Sequence, residues 1–269
     1  MKITIVSVAF NEEKNIRRTI ESVLNQTSND IEYIICDGQS TDKTVDIART
    51  YKNAFDDKGI TYIINSERDL GIYDAMNKGI RMAEGEYIFF LNAGDWFYSN
   101  DIIEKIIKVA QGCKKPDFIY GGVATISRNV IKVVFGDDES LINGMSIPHQ
   151  ALFSKTVYMK ENLFDLQYRI SADYNFLLGQ KLLNRIFYRI DLKIAYFSAD
   201  GLSSKDMLTL IEESEKIKSK YGIKTNKKKA RIKAYKEQLI IKIKSKIPQK
   251  IWELWSIKYK NKEIYVWKG

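Results

Sequence analysis

The chain has 269 residues, 45% hydrophobic and 29% charged, with a formal net charge of +9 at pH 7. That composition buries a core and excludes a disordered chain, and the length suits one sizeable α/β domain with an appendage, or two small domains. Cys36 and Cys113 are too few for a disulfide framework, which favours a reducing cytoplasm.

The opening MKITIVSV lacks the basic region and cleavage site of a secretory signal. No apolar run of about 18 residues exists to span a membrane. Ile3–Ala9 reads instead as a first strand. A helix follows, with Ile16, Ile20, Val23 and Leu24 on one stripe. Ile31–Cys36 is a second strand ending at Asp37-Gly38. Ser40 or Thr41 can cap the next helix, whose inner face carries Val45, Ala48 and Tyr51. Thr61–Ile64 is a third strand. The spacing of Tyr73, Met76, Ile80 and Ala83 predicts a helix over 72–83. Tyr87–Leu91 is a fourth strand, ending abruptly in Asn92-Ala93-Gly94-Asp95. Repeated βα units imply a parallel sheet with right-handed crossovers, and ligands sit at the carboxyl edge of such sheets.

Beyond Asp101 the pattern loosens. A helix is expected over 102–109, strands over Phe118–Gly121 and Val130–Phe135, and a helix over 172–183. From Leu208 the chain reads as helical and basic. Between Lys216 and Lys250 there are 14 Lys/Arg against one acid, Glu237, so the rest of the chain sums to −4. The basic excess is local, and so is its partner. Tyr235, Leu239, Ile243 and Ile247 form an apolar stripe that Pro248 breaks; Ile251, Trp252, Trp255 and Tyr259 form an aromatic one.

The turns carry the candidate chemistry. Ser7, Phe10, Asn11 and Glu12 close the first strand, where backbone groups can meet a base edge beside Phe10; an ordinary turn with Asn11 as helix cap is the plain alternative. Asp37 can accept from a uracil N–H or simply mark a turn, while Asp42 suits first-turn helix chemistry. The segment SERDLGIYDAMNKG offers Asp69, Asp74, Asn77 and Lys78, the last three facing one way on a helix. Lys78 or Arg68 can meet a phosphate; a solvated helix face is the alternative. No G-x-G-x-x-G follows a strand and no G-x-x-x-x-G-K-[ST] occurs. A nucleoside diphosphate therefore needs another anchor. Mg²⁺ or Mn²⁺ needs only one or two protein carboxylates when phosphates complete the shell, and Asp95 meets that minimum. Asp173 begins a predicted helix as a first-turn residue or as a general base. His149, the sole histidine, has no Cys or His partners for zinc. It contacts an acceptor or diphosphate, or serves structure.

Jointly and in order, SVAFNEEKNIRRTIESVLNQT, IICDGQSTDKT and SERDLGIYDAMNKGIRMAEGEYIFFLNAGDWF resemble the family 2 inverting glycosyltransferases. The resemblance covers about residues 1–205 and is closest to bacterial exopolysaccharide and O-antigen (lipopolysaccharide) transferases. It implies an α/β GT-A fold, a Rossmann-like, mostly parallel sheet flanked by helices over 1–205, with a basic amphipathic helical extension over 206–269. It implies Ser7, Phe10, Asp37, Asp69 and Asn77 around the nucleotide or donor sugar, Asp95 on the metal and Asp173 as base. The chain departs from the family where its metal turn carries Asn92 and Gly94 in place of acids.

The expected function is transfer of a sugar, with inversion, from a nucleoside diphosphate donor such as a UDP-sugar to a hydroxyl. The acceptor is a glycan or polyprenyl-diphosphate-linked glycan at the cytoplasmic face of the cell membrane. The C-terminal stripes suit an anionic membrane surface, or packing on the catalytic domain or on a second copy in a homo-oligomer. Two rivals are a polyanion or nucleic-acid binder using the basic tail, and an inactive transferase-like scaffold. The apolar stripe among the lysines speaks against nucleic acid.

Overall fold

A computed structural model describes residues 1–112, 114–127, 130–198 and 206–225, with short stretches between 232 and 266. The first half alternates as expected: β1 (Ile3–Ala9), α1 (Ile16–Leu24), β2 (Ile31–Asp37), α2 (Thr44–Arg49), α3 (Lys52–Asp57), β3 (Thr61–Ser66), α4 (Ile72–Met82) and β4 (Tyr87–Phe90). β3, β2, β1 and β4 lie side by side and parallel. Successive residues of β1 serve opposite faces. Ile3 and Ile5 pack with Ile16, Ile20 and Val23 of α1, whereas Val6 and Val8 pack with Tyr73, Met76 and Ile80 of α4. Both faces are covered, which is why these strands read as unbroken apolar runs.

The second half is mixed. It comprises β5 (Trp96–Phe97), α5 (Ile102–Ala110), β6 (Phe118–Ser127), β7 (Val130–Phe135), β8 (Leu152–Lys155), α6 (Thr156–Glu161), α7 (Ala172–Leu182), β9 (Phe187–Ser198) and α8 (Met207–Lys220). β8 pairs antiparallel with β4 and joins β6 to the parallel strands. β6 does not end at its glycines as expected but runs on to Ser127. A Cβ on Gly121 would lie 2.4 Å from the Leu192 carbonyl, so the bare backbone lets β9 approach, and the register shifts there.

The helix after β2 also differs from expectation. It splits into α2 and α3, and neither Ser40 nor Thr41 caps it. Asp42 Oδ1 accepts from Thr44 N at 2.9 Å instead. The C-terminal region, expected to be helical, contributes α8 and a strand, β10 (Ile264–Val266), antiparallel to β7. Residues 199–205, at the expected domain boundary, lie outside the described residues, as do Trp252, Trp255 and Tyr259 of the aromatic stripe. α8 itself is packed into the domain, with Ile217 fully buried in the cluster beneath α4 and α7. Cys36 is buried, and burial pushes its thiol up to about 12, which makes it inert as a nucleophile.

Candidate active site

Because β1, β2, β3 and β4 are parallel, their carboxyl ends meet at one edge. Strand order reverses at β1, between β2 and β4, which makes this edge a topological switch point. The turns along it are tied together. Gly38 N donates to Ala9 O at 2.8 Å, Ala93 N to Val8 O at 3.1 Å and Glu67 N to Asp37 O at 3.0 Å.

The turn after β1 is built by Asn11, whose φ of 54° is left-handed, a conformation Asn tolerates. Asn11 N donates to Ser40 Oγ and its Oδ1 accepts from Thr41 N, both at 2.8 Å. Glu12 N donates to Thr44 Oγ1 at 2.7 Å. Asn11 is therefore a clasp between two turns and not the cap of α1, a position held by Asn15. The Glu12 carboxylate accepts from Asn15 Nδ2 at 2.8 Å.

Asp37 is 1% exposed and accepts from Ser40 N at 2.9 Å, from the Ser40 hydroxyl, and from Ser66 Oγ at 2.6 Å. Its charge fixes the loop beyond β2. A Cβ on Gly38 would meet Asp69 Oδ2 at 2.4 Å and the Phe10 ring at 3.3 Å. Phe10, Gly38 and Asp69 thus converge on one spot, with Phe10 61% exposed. Asp69 Oδ1 accepts from Gly71 N at 2.9 Å, and Asp74 Oδ2 from Leu70 N at 3.0 Å.

Three predicted site residues are occupied in the interior or beneath the loop. Ser7 is fully buried and bonds to Tyr33 and to the Leu91 carbonyl. Asn77 is 2% exposed and makes reciprocal bonds with the Phe164 backbone, 2.9 Å to the carbonyl and 2.8 Å from the amide. Lys78 Nζ donates to Arg68 O at 2.6 Å and lies 3.4 Å from Glu67 and 3.9 Å from Asp74. Asp74, Asn77 and Lys78 therefore do not share a face: Asn77 points into the core.

At the turn after β4, Asp95 is 4% exposed. Thr19 of α1 clamps this turn, donating to Asp95 O at 2.7 Å and accepting from Gly94 N at 3.0 Å. Asn92 Oδ1 is buried with no hydrogen-bond partner among the described residues. Arg18, which the sequence did not single out, stacks its guanidinium 3.5 Å from the centre of the Trp96 ring and donates to Gly94 O at 3.1 Å. Burial lowers its pKa, and the charge of Asp95 works the other way. As hard oxygen donors, Asp95 and Asn92 fit a divalent cation whose shell is completed by phosphate oxygens. Among the described residues no group of three or more His, Cys, Asp or Glu forms a fuller site.

Asp173 stands in the first turn of α7, where the helix dipole favours a carboxylate. Its Oδ2 lies 3.2 Å from His149 Nδ1. Its Oδ1 accepts from Tyr174 N at 2.8 Å and shares the Tyr73 hydroxyl, 2.9 Å away, with the Ile170 carbonyl at 2.6 Å. Burial, then the charge of Asp173, pushes the Tyr73 pKa well above its ordinary value, so Tyr73 is a donor. His149 Nε2 is buried with no partner among the described residues. Tyr73 lies in the first turn of α4, directly after the Asp69 loop, so α4 links the Phe10–Asp69 spot to Asp173.

Residues 4–162 match the family model described as Glycosyl transferase family 2. A "PGL/p-HBAD biosynthesis glycosyltransferase" of Mycobacterium bovis is 31% identical over 174 residues, 64% of this chain and 67% of that protein. An "Uncharacterized glycosyltransferase" of Methanocaldococcus jannaschii is 26% identical over 241 residues, 83% of this chain and 79% of that protein. Among solved structures, S. aureus TarS 1-349 in complex with UDP-GlcNAc has a TM-score of 0.63 at 15% identity, covering 95% of this chain and 78% of that one. A mannosyltransferase from Pyrobaculum calidifontis in complex with GDP-Man and Mn²⁺ has a TM-score of 0.60 at 13% identity, covering 87% of this chain and 69% of that one. At such identities the likeness shows the fold, which is GT-A.

Proposed function

Because the chain belongs to glycosyl transferase family 2, we propose that it moves a sugar, with inversion, from a UDP-linked donor to a hydroxyl of a lipid-carried glycan in bacterial surface polysaccharide synthesis. The observation that carries this reading is Asp173, a carboxylate still 13% exposed and oriented by Tyr73 and His149. An acceptor hydroxyl must lose its proton as its oxygen attacks the anomeric carbon. Asp173 takes that proton, the new C–O bond forms on one face of the sugar, and the bond to the diphosphate breaks on the other. One carboxylate base suffices, unlike the acid-and-base pair of glycosidases. Tyr73, kept protonated, holds Oδ1, and His149 holds Oδ2.

The nucleotide base lies against exposed Phe10, beside the Asp69 carboxylate that the bare Gly38 lets close in, with the Asp37 loop as polar edge. A divalent cation held by Asp95 and Asn92 would neutralise the charge of the leaving diphosphate. Among the described residues no helix is long and apolar enough to cross a membrane. Exposed Tyr235, Leu239 and Ile243 among lysines support a peripheral seat on the inner face of an anionic membrane.

The test is a screen of nucleotide-sugars for thermal stabilisation, followed by donor turnover with and without Mn²⁺. A donor at about 100 times its Kd adds about 2.7 kcal/mol of stability, well within detection. If no nucleotide-sugar shifts the unfolding temperature, the reading is wrong. Binding without turnover would support the inactive scaffold.

A further inference from the structure

The segment leading into α7 is gripped from two sides. From α4, Tyr73 donates to the Ile170 carbonyl. From α8, Glu213 accepts three consecutive amides: Arg169 N at 2.7 Å on Oε1, and Ile170 N and Ser171 N, each at 2.9 Å, on Oε2. Glu213 is 6% exposed, and Ile217, one turn further along α8, is fully buried. Asp206 starts the helix, its carboxylate accepting from Thr209 N at 3.1 Å. The carboxylate is therefore delivered by an anchored element.

Successive amides make an anion-binding concavity, and bonds from amides to a carboxylate are roughly twice as strong as neutral ones. Here the anion is the protein's own. These three amides are thus closed to a substrate phosphate, and the segment that leads into α7 is held in place. Ser171 is the residue before α7, and Asp173 is the second residue within it. Any slip of 169–171 would carry Asp173 out of reach of Tyr73 and His149. Both Asp173 and Glu213 lie beyond the stretch matched by the family model, which ends at residue 162.

We infer that Glu213 is a positioning residue for transfer: through the backbone of Arg169, Ile170 and Ser171 it sets the place of Asp173. This rests on Asp173 being the base. The helix expected to belong to an appendage is then part of the catalytic unit.

The test uses the full chain with Glu213→Gln and Glu213→Ala. Gln keeps the volume but replaces an accepting oxygen with an NH₂ that cannot accept an amide. Expected for Glu213→Gln are faster hydrogen exchange at the amides of 169–171, an unchanged donor KM, and a kcat lowered by up to roughly 10²-fold, the loss that a misplacement of about 1 Å brings. In an Asp173→Asn background the same change should add no further loss. Glu213→Ala should exceed Glu213→Gln in each effect; if it does not fold, Glu213→Gln decides. Wild-type kcat or wild-type exchange protection in Glu213→Gln overturns the inference, as does a full, multiplicative loss on top of Asp173→Asn. A wild-type protein that binds donor but transfers nothing removes the reading of Asp173 itself, which is a separate result from a failed Glu213 variant.

Discussion

Asp173 and Asp95 both stand at the ends of elements, the first partly exposed and the second buried, and their neighbours differ in kind. Asp173 faces a hydroxyl and an imidazole, groups that orient it without cancelling its charge unless His149 is protonated. Asp95 sits in a turn with Arg18 nearby and an Asn92 amide oxygen that has no hydrogen-bond partner among the described residues. Asp173→Asn should therefore lower kcat by roughly 10²–10⁴-fold, the contribution of a general base, while donor binding persists. A mutant with near-wild-type transfer would remove Asp173 from the role. Asp95→Ala should abolish the metal response of donor binding, since neither Asn92 nor Gly94 offers a replacement carboxylate. Titration of donor with and without Mn²⁺ checks this, and a variant that keeps the response rules the site out. Sequence position alone placed Asp173 at a helix start and Asp95 at a strand end. It gave no sign of Glu213 or Arg18, because a charged residue on a helix flank looks the same whether it faces water or reaches a distant loop.

At the scale of elements, α4 shows how one helix can be legible in its apolar stripe and opaque in its polar residues. Tyr73, Met76 and Ile80 are buried as the spacing implies. Asn77 was grouped with Asp74 and Lys78, yet both its amide groups hold the Phe164 backbone in the core. Asn77→Ala would leave that buried N–H and C=O unpaired and should cost about 2 kcal/mol or more. Denaturant unfolding measures the cost, and an unchanged donor KM is expected beside it; a weakened KM at full stability would return Asn77 to the nucleotide. β8 escaped notice as a four-residue strand, LFSK, too short to show a period. β9 carried a usable signal, with Arg189, Asp191 and Lys193 alternating with Ile190, Leu192 and Ile194.

Asp117 joins these late elements. Burial would raise its pKa, but the Ile186 amide at 2.9 Å, Lys155 at 3.0 Å and Tyr158 at 3.1 Å outweigh this and lower it. A folded-state pKa below the unfolded one contributes stability above about pH 3.9, the ordinary carboxylate value, that is lost as pH falls through the depressed pKa. Unfolding free energy measured on acidification should fall less steeply in Asp117→Asn than in wild type. Identical slopes would mean that the linkage lies elsewhere.

For the whole molecule, the question is where the catalytic unit ends and the basic region begins. α8 lies on the catalytic side, since Ile217 is in the core and Glu213 holds the start of α7. Beyond residue 225 the described side chains are mostly exposed, among them Tyr235, Leu239, Ile240 and Ile243. Lysines near an anionic surface contribute about 1 kcal/mol each, and apolar side chains on the same segment can enter the interface. β10 pairs with β7, so removing the tail also bares a strand edge. Deleting residues 226–269 should accordingly leave a folded, donor-binding protein that no longer sediments with anionic vesicles. Deleting from residue 206 should instead cost the fold, because it removes Glu213 and Ile217. Cosedimentation with anionic and neutral vesicles, alongside duplex DNA at matched salt, separates the partners. Tighter binding to DNA than to anionic vesicles would favour the polyanion binder. A shorter deletion that fails to fold, or that turns an oligomer into a monomer, would mean that the tail packs on protein and not on lipid.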